Sequence, residues 1–300
     1  MFLRVGFDML ISLNFLKLIL TNGGSRVVQR YTYRMPMTPS HPTTIDSVAI
    51  DWGNSTLKTG WFSGSMLIET RRYESIDALL TALAERPPIP AIVSSTSRPA
   101  NEIKAQLSGS GRDVWVLDDQ TPVPIRKEYD TPHTLGADRV AAAVGATGLF
   151  PGEDCVVLDL GTCLTADFVD GGRVFRGGLI SPGLRMRFRA MHEQTARLPM
   201  VTYETGDRAS WPDLTAKNTR QAMQSGVVNG LLFEMNGIIE TYRRERPGTV
   251  VLLCGGDAPF FESRLKGPIF VVPELVLMGL NRILRYNVEN LQANTPDVNA

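Results

Sequence analysis

A short apolar strand that runs into Asp-x-Gly and then into a second β-rich stretch occurs twice in this chain of 300 residues. In the first copy Ser47 to Ile50 leads into Asp51-Trp52-Gly53-Asn54-Ser55-Thr56, followed by Leu57-Lys58-Thr59-Gly60-Trp61-Phe62. In the second, Val156-Val157-Leu158 leads into Asp159-Leu160-Gly161-Thr162-Cys163, followed by Leu164 to Val169, a Gly171-Gly172 turn and Val174 to Ile180. Strand, acid, glycine turn, strand reads as a β-hairpin, and a further strand is expected around Met66 to Glu69. One such motif is an ordinary turn signal. Two matched copies are too few for a stacked array and point to duplicated domains.

The turn chemistry suits a nucleotide tail. Gly53 and Gly161 allow tight backbone geometry and close approach of a ligand. Successive amides in such a turn form a concave anion cradle. Ser55, Thr56 and Thr162 add hydroxyls, and Lys58 adds a cation. Asp51 and Asp159 repel phosphate unless a metal or monovalent cation lies between, so their presence implies cation bridging.

After the first copy, Ile76, Leu79, Leu80 and Leu83 keep helical spacing, and Ala91-Ile92-Val93 reads as a buried strand ending in the polar loop Ser94 to Ser97. Ile103 to Leu107 suggests another helix and Val114 to Leu117 another strand, so the fold class is α/β with a mixed sheet. A loop from Tyr129 through His133 reaches Gly136-Ala137-Asp138-Arg139 and an Ala-rich helix. Asp138 in the first turn is favoured by the helix dipole and could simply cap; Arg139 is not favoured there, so a base and an anion clamp remain the other reading. His133 reads as a solvated loop residue, and Arg185, Arg187 and Arg189 as a solvated basic face. Asn218 and Gln221 mark a helix start that runs to about Arg244, with Ala222, Gly226 and Gly230 as a smooth packing stripe. Val250 to Cys254 is a strand that Gly255-Gly256-Asp257 turns into a helix; such a glycine pair lets a ribose or base approach. The tail from about Val288 is polar and expected to fray.

Composition bounds the function. With 43% apolar and 21% charged residues the chain can build a sizeable core. Thirty-one basic and 31 acidic residues give no global field to hold nucleic acid or an anionic membrane. Three cysteines without a CxxC fit a reducing compartment, hence a cytoplasmic location, and three scattered histidines make no metal site. The apolar run Met9 to Leu20 is interrupted by Lys17 and short of the roughly 20 residues a spanning helix needs. It reads as a leader, with a targeting segment or a structural element as alternatives. Residues 36–44 read as a linker, so the globular part is expected to begin near Ile45.

The order DWGNSTLK, Y(x6)GADR, DLGTCLT, FRGGLISPG, TARLP, NTRQAMQSG and CGGDA resembles type III pantothenate kinase over roughly residues 45 to 287. GADR followed about 20 residues later by D-x-G-T is specific to that family, whereas D-x-G-N is shared by the acetate and sugar kinase, heat-shock chaperone and actin superfold. The resemblance implies two duplicated ribonuclease H-like (actin-like ATPase) domains with mixed sheets and an interdomain cleft. The expected boundaries are a disordered or non-native leader at 1–44, domains at 45–150 and 151–287, and a tail at 288–300. It implies ATP-dependent phosphorylation of pantothenate, the first step of coenzyme A synthesis, by a homodimer with its pocket near the subunit interface. It also implies Mg2+ and a monovalent cation, potassium or ammonium.

Carried over by motif, Asp51, Trp52, Gly53, Asn54, Ser55, Thr56, Leu57 and Lys58 match the first phosphate loop, with Asp51 orienting hydrated magnesium. Thr162 matches an ATP contact and Asp159 the monovalent-cation ligand. Asp138 matches the catalytic base; Gly136, Ala137, Asp138 and Arg139 match the pantothenate segment, and Tyr129 and Thr219 further pantothenate contacts. Departures are modest: Ser55 replaces Thr, Cys163 stands where Ala is usual, and Trp52 is bulkier than the common aliphatic. The rival expectations are another small-molecule kinase of the superfold and a non-catalytic nucleotide-dependent accessory protein.

Overall fold

The computed structural model describes residues 16–22, 25–31, 45–54, 56–205 and 210–293. Ser55 lies outside them. Two mixed sheets carry the fold. The first motif folds as three antiparallel strands, β3 (Asp46–Trp52), β4 (Leu57–Ser63) and β5 (Met66–Tyr73). Helix α1 (Ile76–Ala84), strand β6 (Ala91–Ser95), helix α2 (Ala100–Leu107), strand β7 (Val114–Val116) and helix α3 (Ala137–Leu149) follow. β6 and β7 add in parallel, so the sheet order is β5-β4-β3-β6-β7.

The second motif repeats this plan. Strands β9 (Cys155–Leu160), β10 (Cys163–Val169) and β11 (Val174–Pro182) are antiparallel neighbours. Helices α4 (Leu184–Glu193) and α5 (Thr219–Glu245) precede strand β12 (Val250–Cys254); helix α6 (Ala258–Phe261), strand β13 (Ile269–Val271) and helix α7 (Leu275–Ala293) complete it. The order β11-β10-β9-β12-β13 mirrors the first sheet, which bears out the duplication read from the two motifs. A short strand β8 (Arg126–Lys127) from the first half joins this sheet at β11.

Local rules explain the helices that the sequence marks most clearly. Ser75 caps α1 by accepting from the Ala78 amide, and Asn218 caps α5 by accepting from the Gln221 amide. Strand alternation splits Trp52 and Leu57 from the turn between them: both side chains lie in the core under the first sheet, with Val48, Ile50 and Trp61.

Four expectations about the periphery need correction. Residues 16–22 and 25–31, expected to be leader, form strands β1 (Leu16–Asn22) and β2 (Ser25–Tyr31), an antiparallel pair that extends the second sheet beside β13. Their cause is legible: β-prone residues flank Asn22-Gly23-Gly24-Ser25, a hairpin signal. The residues expected to fray from Val288 instead continue α7 to Ala293, because Val288 packs on the buried interdomain cluster. Among the described residues the stripe at Ala222, Gly226 and Gly230 is not a packing face: it opens on a groove of about 520 Å³ whose walls include Leu214 and Phe233, and a Cβ on Gly226 or Gly230 would meet nothing within 4 Å. Lastly, the basic run is not one solvated face, since Arg187 pairs with Glu234 and both Arg185 and Arg189 line the central cavity.

Helices α3 and α7 occupy equivalent places in the two halves and cross between the sheets. One core cluster joins Ala141, Val144 and Leu280 to Ala49 and Ile92 of the first sheet and Val157 and Leu252 of the second. The crossing is close enough to require glycine: a Cβ on Gly279 would lie 1.8 Å from the Ala141 carbonyl oxygen, and one on Gly145 2.6 Å from that of Leu275. We therefore expect Gly279→Ala to lower stability by about 1–3 kcal/mol through overpacking. An unchanged urea midpoint would show that the helices are not so tightly crossed. Among the described residues no helix is long and apolar enough to cross a membrane.

Candidate active site

The two halves enclose a cavity of about 1250 Å³. Asp51 and Asp159 stand at equivalent points on the central strands β3 and β9, near the start of each glycine turn. Each turn is closed by its own amide: Gly53 donates to the Thr56 carbonyl at 3.0 Å, and Gly161 to that of Cys163 at 2.9 Å. Each acid also has an equivalent lateral partner. Asp51 lies beside Ser94 on parallel β6, whose hydroxyl donates to it at 3.2 Å; Asp159 lies beside Cys254 on parallel β12, whose thiol hydrogen-bonds to it. Lys58 faces Asp51 across the β3–β4 pair, and its Nζ donates to the Pro273 carbonyl.

The third acid arrives on a helix. Gly136 precedes α3, and Asp138 sits in its first turn, where one carboxylate oxygen accepts from the Arg139 amide at 2.8 Å. Asp138 therefore does behave as a first-turn acid, yet it also lines the cavity with Asp51 and Asp159. Tyr129, Gly136 and Ala137 line the same cavity, and so do Gly53, Asn54, Thr56, Lys58 and Thr162.

Electrostatics show that the three acids share one space. Burial, followed by the nearby Asp138 charge, pushes the Asp51 carboxyl up to about 6 despite the pull of Lys58 and Ser94. Burial, then Asp138 and Asp51, pushes Asp159 up to about 7. Burial also raises Asp138, while the Arg139 amide and charge pull it back. Their surfaces are half-buried, so the acids sit deep in the cleft but face it.

Among the described residues no three acidic, histidine or cysteine side chains converge as a ready-made metal cage. The donor set fits a different kind of cation site. A hard cation in a phosphoryl-transfer site uses one or two carboxylates, waters and substrate phosphates. Asp51 and Asp159, on equivalent strands just before the two glycine turns, would supply that partial shell.

Other sequence-read residues fall elsewhere. The Trp52 and Leu57 side chains are in the core, so only their backbone can serve the turn. Thr219 begins α5, is exposed, and is not part of this chain's cavity wall. Arg139 does line the cavity, but it is buried there, its guanidinium gripped by Asp167 of β10. Asp167, Ser94 and Cys254 are functional-site neighbours that the sequence reading missed. Ser94 had a signal, as the first residue of a polar loop after a buried strand; Cys254 had one as the last residue before a glycine pair. Gly255 of that pair has φ +92°, and a Cβ there would lie 2.4 Å from the Leu160 carbonyl oxygen and 2.5 Å from Asp159 Oδ1.

The family model for type III pantothenate kinase matches residues 47–241. A type III pantothenate kinase from Cytophaga hutchinsonii is 46% identical over 242 residues, covering 81% of this chain and 100% of that protein. One from Phocaeicola vulgatus is 40% identical over 243 residues, covering 80% and 98% respectively. In fold, the chain is similar to a solved Baf family transcriptional activator structure from Campylobacter jejuni, with a TM-score of 0.54 at 21% identity over 81% of this chain and 99% of that one. A 2-dehydro-3-deoxygalactonokinase structure from Sinorhizobium meliloti gives a TM-score of 0.51 at 17% identity over 80% and 99%.

Proposed function

The chain belongs to the type III pantothenate kinase family and phosphorylates pantothenate in coenzyme A biosynthesis; from that premise we propose how its own residues carry the reaction. The supporting observation is the convergence of Asp51, Asp138 and Asp159 on one cavity between two glycine turns.

ATP lies with its phosphates between the two turns. The amides of Asn54 and Thr56 and the Thr162 region, with Lys58, hold and orient the phosphate oxygens. Asp51 would hold Mg2+ through water, and Asp159 a potassium or ammonium ion. Bound there, these cations neutralise charge on the phosphates, which is the main demand of phosphoryl transfer.

Pantothenate enters along Tyr129 and the turn from Gly136 to Arg139. Its primary hydroxyl lies by Asp138, within about 2.6–3.2 Å in a productive pose. The alcohol oxygen forms a bond to the γ-phosphorus as the bond to the β–γ bridging oxygen breaks, leaving ADP. Asp138 takes the hydroxyl proton, and burial, by raising its pKa, makes it a better acceptor near neutral pH than a free Asp. Arg139 meets the pantothenate carboxylate as a planar fork.

Thr219 lies outside the cavity of its own chain, and the groove beside it exposes Leu214 and Phe233, the latter 57% accessible. Both observations support a homodimer in which α5 lies at the interface. We place the enzyme in the cytoplasm, where free thiols such as Cys155 and Cys254 persist.

The assay that tests the reading measures ADP release with Mg2+ and potassium against a panel of pantothenate, hexoses and acetate. ADP release that depends on pantothenate is expected. Preferential use of a hexose or of acetate would overturn it.

A further inference from the structure

Arg139 and Asp167 form an ion pair with both side chains almost fully buried, at 6% and 3% exposure. Nε of Arg139 donates to both Asp167 oxygens, at 3.0 and 3.1 Å, and Nη2 donates to Oδ1. The guanidinium carbon lies 5.8 Å from the ring centres of both Tyr129 and Phe175. Asp167 belongs to the cavity face of β10: Cys163, Thr165 and Asp167 line the cavity, while the alternate residues Leu164 and Ala166 are buried in the core. Its neighbour across the sheet is Gly178, where a Cβ would come within 2.5 Å of Asp167 Oδ1. The sheet thus leaves space for this carboxylate.

Stability does not account for the arrangement. Burying two charges costs desolvation that their attraction barely repays, and apolar pairs of similar volume often serve a core as well or better. What the pair does supply is orientation. A guanidinium on a long flexible side chain, locked through two of its nitrogens and held near two rings, can present only one aspect to a ligand.

We propose that Asp167 is a positioning residue for pantothenate, acting by holding the Arg139 guanidinium in the orientation that receives the substrate carboxylate. The inference rests on the reading of Arg139 as the carboxylate clamp. Asp167 touches no substrate; it sets where the fork sits and how much of it is left for the anion.

The test uses the full-length enzyme with Asp167→Asn, Arg139→Met and the double change Arg139→Met/Asp167→Leu, an apolar pair of similar size. For Asp167→Asn the KM for pantothenate should rise about 10- to 100-fold, as for loss of a charge-assisted hydrogen bond, with the KM for ATP within about twofold. The double variant should match Arg139→Met alone in its pantothenate KM, because Asp167 acts only through the arginine. Equal damage to both KM values, no change with Asp167→Asn, or a further rise in the double variant would overturn the proposal. If Asp167→Asn does not fold, the double-variant comparison decides. Should Arg139→Met leave the pantothenate KM unchanged, the clamp reading itself fails. Should only Arg139→Met raise it, the clamp stands and Asp167 is removed from the account.

Discussion

Asp138→Asn should fold as well as the parent and lose about 10²–10⁴ in kcat. The amide keeps the oxygen that accepts from the Arg139 backbone, a bond of 2.8 Å in the native chain. It also removes one of the charges that push Asp51 and Asp159 upward, so the unliganded variant should be no less stable. What it loses is the ability to take a proton from the pantothenate hydroxyl. Fold and rate separate in this variant, which makes the outcome easy to read. Circular dichroism and a urea midpoint establish folding, and single-turnover kinetics report the chemical step. A well-folded variant with near-normal kcat would remove Asp138 from the role of base.

The second large effect is on stability. Without cations, the protein should become less stable as pH rises from about 4 to about 7. The sign follows from proton counting. Burial and repulsion among the cleft acids push the folded pKa values of Asp51 and Asp159 to about 6 and about 7 from an ordinary value of 3.8. Between those limits the folded state binds more protons than the unfolded state, so stability falls with pH. The penalty is absent below the unfolded value and complete above the higher folded value. At about 1.4 kcal/mol per pKa unit, and with allowance for water in the cleft, the loss is on the order of 1–3 kcal/mol. Mg2+ and potassium should restore part of it at pH 8 and little at pH 5, where protons already occupy the acids. Urea midpoints across pH, in chelator and a bulky organic-cation buffer, measure the slope. Asp159→Asn controls for all other groups: its profile should be flatter and its unliganded stability at pH 8 higher than the parent's. A parent curve no steeper than the variant's would mean that Asp159 is not held under that strain.

These two expectations share one origin. Three acids in one cleft are a poor arrangement for an empty protein and a good one for a site that gathers cations and an alcohol. The Ser94 and Cys254 contacts ease the strain on two of them without removing it. On the proposed reading the enzyme holds its charges ready, and binding would complete their neutralisation.

Much of this was legible locally. The duplicated Asp-x-Gly turn specified the repeated three-stranded unit, since alternation and turn chemistry are encoded within a dozen residues. The Asn218 cap and the helix through Glu245, and Asp138 in the first turn of α3, follow from the same kind of short-range signal. The motifs also identified the family and singled out the acids at 51, 138 and 159, which the fold brings to one cavity. Side-chain direction was less secure: Trp52 and Leu57 belong to the motif, yet strand alternation turns them into the core.

Tertiary structure alone decided the rest. Asp167 meets Arg139 across 28 positions of sequence, and Ser94 meets Asp51 across 43. Such partners are set by which strands lie side by side, a consequence of packing that no local period records. The return of α7 between the sheets, and the Gly279 crossing that permits it, likewise depend on both halves being folded at once. The chain's own order of residues specifies two similar units and the acids they carry; bringing those acids into one cleft required the hydrophobic faces of both units to find a common core.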